Sequence, residues 1–245
     1  MENQRQTYVG TAPAKDNTKN LLAASFSWMT LGLLITTVFA LLFHYVPQLL
    51  ALLTDKVVRF DGKVIYHRTI LGYIVMFAPL GLVLLMSFRV HKMSFPVLMM
   101  CFVIFSASVG ASLYYIFIRY EVGSIINCFF SATALFGLFA AAGYFTKTDL
   151  TKLGSILFIG LGGIIIASVI NWFTRSPTMD YIISFIGVAI FTGLTAYDVQ
   201  KIKNLGSRIE GGEALAKMSI MGALELYLDF LNIFLFLLRL FGNRN

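Results

Sequence analysis

What most constrains this chain is a recurrence: apolar runs about as long as a bilayer is thick follow one another from residue 21 almost to the end. A helix rises about 1.5 Å per residue, so about 20 apolar residues cross a hydrocarbon core of about 30 Å. Spans are predicted at 21–43, 70–89, 95–118, 124–145, 153–174, 180–200 and 220–241. Lipid offers no hydrogen-bonding partners, so each run has to satisfy its own backbone and reads as a helix. The expected fold is therefore an all-α integral membrane bundle of seven transmembrane helices. Composition supports this: 58% of the residues are hydrophobic and only 13% charged, too apolar for an ordinary soluble domain.

Residues 1–20 read as a polar tail and residues 21–245 as the transmembrane domain. The first apolar run is longer than a signal-peptide core and has no A-x-A-like cleavage site, so it is expected to stay attached as a helix. The longest connection, His44 to Arg68, holds Pro47, Asp55, Asp61 and Gly62 around short apolar patches, which suits an interfacial helix or a hairpin.

The formal charge is +7, and the basic residues lie mostly in short loops between apolar runs. That distribution points to membrane orientation and contact with anionic lipid, and no nucleic-acid motif accompanies it. With the N-terminus cytoplasmic, that side carries Arg5, Lys15, Lys19, Arg89, Lys92, Lys147, Lys152, Lys201, Lys203, Arg208 and Lys217. The far side then has Lys56, Arg59, Lys63, Arg68, Arg119, Arg175, Arg239 and Arg244. The excess favours a cytoplasmic N-terminus.

Cys101 and Cys128 both sit in apolar stretches and read as small packed residues. His44, His67 and His91 fall near helix ends without the spacing that zinc chemistry needs, so no metal catalysis and no resident cofactor are expected. Small residues recur at Ser106, Ser108, Gly110 and Ser112 in the third span and at Gly160, Gly162 and Gly163 in the fifth, where they would let helices approach closely.

Two acids in the last two spans carry the chemistry. The sixth span ends GVAIFTGLTAYDVQKIK, with Asp198 one turn before Lys201 and Lys203. An acid there could simply pair with Lys201 at i+3. The seventh span reads IMGALELYLDFLNIFLFLLRLFG; Glu225, Asp229 and Asn232, spaced i, i+4 and i+7, share one helix face. An ionised aspartate at the centre of a spanning helix costs about 2.5–3.5 kcal/mol on insertion scales, so the stripe is expected to face the bundle interior and to have a task. Two carboxyls brought together in such a medium would share a proton and titrate as a unit, and on losing it would separate or recruit a cation. Hard cations such as Ca²⁺ prefer several oxygen ligands.

At these residues the chain resembles the transmembrane Bax inhibitor motif family, particularly its bacterial members. FTGLTAYDVQKIK, residues 191–203, is similar to the family's sixth-helix signature, and ALELYLDFLNIFLFLLRLFG, residues 223–242, to its seventh. The resemblance implies a seven-helix fold with a central last helix, a bacterial inner membrane location, and a pH-sensitive calcium leak. It assigns the proton-sharing pair, and the ligands of the passing Ca²⁺, to Asp198 and Asp229. It also implies an arginine latch from the second span, for which Arg89 is the nearest candidate; Glu225, Lys201 and Asn232 are further accessory candidates. The choice of Ca²⁺ comes from the resemblance, since nothing in the spacing of two aspartates selects it.

Other readings stay open at this point. An intramembrane aspartic protease also places two aspartates on neighbouring spans, one of them in a Tyr-Asp pair as at Tyr197–Asp198, but Asp229 follows Tyr227 and Leu228, not the Gly-x-Gly pattern of those enzymes. A regulatory scaffold that binds another membrane protein would keep the fold without the flux. A proton-coupled transporter would be expected to show paired Gly/Pro-broken helices, and none stands out.

Overall fold

The computed structural model describes residues 17–58 and 64–244. In chain order the elements are α1 (Thr18–Tyr45), α2 (Pro47–Leu53), β1 (Thr54–Val58), β2 (Val64–Arg68), α3 (Ile70–Arg89), α4 (Phe95–Arg119), α5 (Val122–Phe145), α6 (Thr151–Thr174), α7 (Pro177–Gly206) and α8 (Gly212–Phe241). Among the described residues, all helices but α2 are long and apolar enough to span a membrane, which makes seven. The predicted spans are therefore all present. Three helices run beyond their apolar stretches: α1 starts at Thr18, and α7 and α8 extend over 30 residues each. Those extensions are polar or mixed stretches that helix continuity carries past the apolar run.

The connection after α1 contains both of the predicted devices. Pro47 opens α2, where a missing N–H costs nothing, and β1 and β2 then pair antiparallel with Thr54 opposite Arg68. Asp61 and Gly62, with Arg59 and Lys63, lie outside the described residues, as does most of the polar tail.

Burial sorts the helices. In the most apolar window of each, 67% of residues are buried for α8 and 61% for α7, against 11% for α3 and α6. The last helix is thus central, packed by α1, α4, α5 and α7, with α7 almost as enclosed. The N-terminal end of α1 is tied to the C-terminal end of α7: the Asn17 N–H donates to the Gly206 carbonyl (3.2 Å) and its side-chain amide to Ile209 O (2.9 Å).

Close helix approach depends on small residues only at certain places. A Cβ at Gly110 would overlap the Thr36 carbonyl of α1, and one at Gly143 would overlap the Ala196 carbonyl of α7. In the predicted third-span cluster, Ser106 and Gly110 accordingly lie at the α1 contact, and Ser112 Oγ donates to the Val75 carbonyl of α3 (3.1 Å). The predicted fifth-span cluster does not act in the same way. A Cβ at Gly162 or Gly163 meets nothing within 4 Å, and at Gly160 it meets only the Ile190 side chain. The reason is position: α6 lies at the periphery, so much of its surface has no helix to approach it.

Tyr227, fully buried on α8, joins three helices. Its hydroxyl shares a 2.7 Å hydrogen bond with Thr36 Oγ1 of α1, which also donates to the Ser106 carbonyl of α4 (2.9 Å). Its ring packs edge-on against Phe105 at 5.1 Å. Tyr227→Phe keeps the ring packing and leaves Thr36 its carbonyl acceptor, so only one hydrogen bond is lost. The expected cost is about 1 kcal/mol, read as a small fall in thermal unfolding temperature in detergent.

Outside the spans, the Thr151 hydroxyl and backbone N–H both donate to Asp149 Oδ1 (2.6 and 2.9 Å), which starts α6 and holds the Asp149 carboxyl below the usual carboxylate range.

Candidate functional site: a buried aspartate pair

Because α7 and α8 are the two most enclosed helices and pack on each other, polar residues on their facing sides turn inward. Asp198 on α7 is 5% exposed and Asp229 on α8 is 4% exposed. Their carboxyl groups are within side-chain hydrogen-bonding reach of each other. Two carboxylates are both acceptors only, so such a bond requires a proton on one of them. Asp198 Oδ1 and Asp229 Oδ2 are buried without a hydrogen-bond partner among the described residues. A buried polar atom left unpaired costs about 1–3 kcal/mol, more when charged, so this is an expensive arrangement for a purely structural contact.

The accessory candidates divide. Lys201 does not pair with Asp198 one turn before it; it forms an ion pair with Glu225 across the α7–α8 contact at 2.5 Å. Glu225 and Lys201 remain within electrostatic reach of both aspartates, so the site is a cluster of three carboxyls and one ammonium. The Lys201–Glu225 pair lies at its partly exposed edge, with side chains 44% and 32% accessible, where an ion pair contributes about 1 kcal/mol or less. Asn232 turns back to donate to the Leu228 carbonyl of its own helix (2.7 Å).

Arg89 is not placed as a latch. It is exposed at the end of α3 and, among the described residues, makes no ion pair with either aspartate. The physical reason is that α3 is a peripheral helix packed mainly on α4, with little contact to α8.

Sequence reading missed the side chains that steady α7 beside the pair. Gln200, buried two residues after Asp198, accepts from the Leu150 N–H and donates to the Thr148 carbonyl, both at 2.8 Å, clamping the α5–α6 loop. Lys203 Nζ donates to the Tyr144 carbonyl at the end of α5 (2.7 Å). A glutamine in an apolar helix is a usable signal for the first; in the sequence Lys203 stands only as part of a basic cluster. Also missed was a second polar centre at the opposite end of the bundle, where Arg239 and Arg244 approach Asp180 at 3.9 and 3.8 Å.

Among the described residues, no group of three or more His, Cys, Asp or Glu side chains is arranged to hold a metal ion. The pair itself supplies two oxygens per carboxyl, against the six to eight that Ca²⁺ takes, so any passing ion would keep water among its ligands.

Comparison with known proteins agrees with the two helical signatures. The family profile described as "Inhibitor of apoptosis-promoting Bax1" matches residues 18–245. The chain is 41% identical to the inner membrane protein YbhL of Escherichia coli K12 over 225 residues, 91% of each chain. It is 39% identical to an uncharacterized protein of Borreliella burgdorferi over 224 residues, again 91% of each, and 31% identical to an uncharacterized membrane protein of Streptococcus pyogenes over 217 residues, 89% of each. With a buried acidic pair on the two most enclosed of seven membrane-length helices, and a family match that runs the length of the bundle, this chain is an integral membrane protein of the Bax inhibitor-1 family.

Proposed function

We propose that this protein is a pH-sensitive cation leak channel, most simply for Ca²⁺, in which Asp198 and Asp229 hold a shared proton in the closed state. The observation that carries this reading is the meeting of two almost fully buried carboxyls from separate helices, each with one unpartnered oxygen. Two unit charges 4 Å apart repel by about 4 kcal/mol at an effective dielectric of 20. With a proton between them the pair holds α7 and α8 together; without it, repulsion favours separation or the entry of a cation. Calcium is cargo here, and its choice rests on the family resemblance. The site would bind it transiently through Asp198 and Asp229. The protein is read as a non-enzyme of a bacterial inner membrane with a cytoplasmic N-terminus, supported by the loop charge bias and by the name of the Escherichia coli relative.

The test is calcium flux into proteoliposomes holding only the purified chain, between about pH 6 and pH 8. A flux that changes about tenfold over that window is expected, corresponding to about 1.4 kcal/mol in barrier. Silence at every pH would favour the second reading, a scaffold for another membrane protein, which the description of the family as an inhibitor supports. An aspartic protease is disfavoured by the motif, since Asp229 follows Tyr227 and Leu228 and not a Gly-x-Gly pattern.

A further inference from the structure

The four arginines Arg119, Arg175, Arg239 and Arg244 come from three separate parts of the chain and line one cavity of about 520 Å³. They stand at the C-terminal ends of α4, α6 and α8 and just beyond, at the end of the bundle opposite the N-terminus of α1. All four belong to the basic residues that the charge count puts on the far side, and folding gathers them together. The carboxylate that faces them in the cavity lining is Asp180, in the first turn of α7, and its two ion pairs at 3.8 and 3.9 Å are too long for hydrogen bonds. The cavity therefore carries a surplus of three positive charges.

Arg175 is held there at a conformational cost. It adopts φ 49° in the left-handed region, the one non-glycine residue with positive φ among those described. Its N–H donates to the Asn171 carbonyl (2.8 Å), and the Asn171 side chain accepts from the Ser176 N–H (3.0 Å), so the turn is fixed from both sides. Strain of this kind persists only where the surroundings enforce it.

Two features show what kind of anion suits the cavity. Trp172, Phe173 and Tyr181, at the same end, are 72%, 81% and 60% exposed, as expected of an aromatic belt at headgroup depth. Ser168, Trp172 and Arg239 also line an adjoining crevice of about 350 Å³ whose other walls include Ile164, Val169, Phe191 and Phe236. A basic chamber thus opens into an apolar slot between α6, α7 and α8. Guanidinium groups match phosphate oxygens, and the slot matches an acyl chain.

We propose that this cavity binds an anionic phospholipid, its phosphate among Arg119, Arg175, Arg239 and Arg244 and one acyl chain in the α6–α8 crevice. The phosphate end of the site is separate from the aspartate pair, since ten residues along α8, from 229 to 239, span about 15 Å, while the crevice reaches as far as Asn232, one turn from Asp229. It stands whether or not the protein conducts calcium.

The test uses the full chain, delipidated in neutral detergent, with binding of phosphatidylglycerol and of phosphatidylcholine of the same acyl chains followed by native mass spectrometry and thermal unfolding. Phosphatidylglycerol is expected to bind at least tenfold more tightly, and the Arg119→Gln, Arg175→Gln double substitution to lose at least that factor while phosphatidylcholine binding stays unchanged. Asp180→Asn removes the competing carboxylate and is expected to tighten phosphatidylglycerol binding severalfold, a gain that a merely structural role would not produce. Equal binding of the two lipids, or weaker binding by Asp180→Asn, overturns the proposal. Inorganic phosphate alone binding as tightly as phosphatidylglycerol, with the same dependence on the arginines, would overturn the lipid as occupant and assign the site to free phosphate.

Discussion

Asp229→Asn is expected to make calcium flux through the reconstituted protein independent of pH between about pH 6 and pH 8. The amide is nearly the same shape as the carboxyl and can still donate a hydrogen bond to Asp198 from the same place on α8, so packing is retained. What disappears is the second ionisable group. Without it, no like-charge repulsion of about 4 kcal/mol can build up as the pH rises, and the closed and open arrangements no longer differ in the protons they hold. Asp198→Asn should behave in the same way, because the titration belongs to the pair and not to either residue. Stopped-flow measurement with an entrapped calcium dye would read both variants against the wild type. A variant flux that still changes about tenfold across the window would remove the pair from the switch, even if the protein proved to be a channel.

Gly143→Val is expected to destabilise the bundle by about 3 kcal/mol or more. The added Cβ would fall on the backbone carbonyl of Ala196, and a carbonyl inside a helix cannot rotate aside as a side chain can. Helices α5 and α7 would have to part just two residues before Asp198, so the loss should appear both as a lower thermal unfolding temperature in detergent and as a disturbed flux. Gly162→Ala and Gly163→Ala provide the contrast. With nothing near the new methyl groups, the gain in helix propensity of up to about 1 kcal/mol should leave the protein as stable as the wild type or slightly more so. Equal melting of Gly143→Val and wild type would refute the close α5–α7 contact.

These two expectations differ in how far the sequence could carry them. Asp198 and Asp229 could be picked out directly, because a charge in an apolar run has a known cost and no local explanation. Gly143 could not be singled out. It lies in a span that contains other glycines and alanines, and nothing in its neighbours tells which of them meets another backbone. The glycines of α6 look more like a packing motif than Gly143 does, yet Gly162 and Gly163 lie on an outer helix with open space beside them. Small-residue spacing establishes that close packing is possible; the identity of the facing helix decides whether it happens.

The same distinction runs through the charged residues. Lys201 stands one turn from Asp198, and local spacing alone would pair them; in the fold, Glu225 on the adjacent helix takes the lysine instead. Arg89 stands at the end of a span that the family resemblance associates with a latch, but α3 lies against α4 at the edge of the bundle and keeps the arginine exposed. The far-side arginines read as four separate loop charges, and only folding shows that three helix ends and the C-terminal segment meet around one cavity.

From the sequence alone came the membrane, the seven spans and the two acids, because each follows from the cost of placing polar groups or unpaired backbone in hydrocarbon, a cost set residue by residue; for the connection after the first span it offered a helix or a hairpin, and the fold has both. Tertiary structure alone decided that Asp198 and Asp229 meet, that Lys201 turns to Glu225, and that Tyr227 and Gln200 hold the helices that carry the pair. The physical reason is that lipid leaves helices free to choose partners by shape and hydrogen bonding, and those choices depend on surfaces distant in sequence.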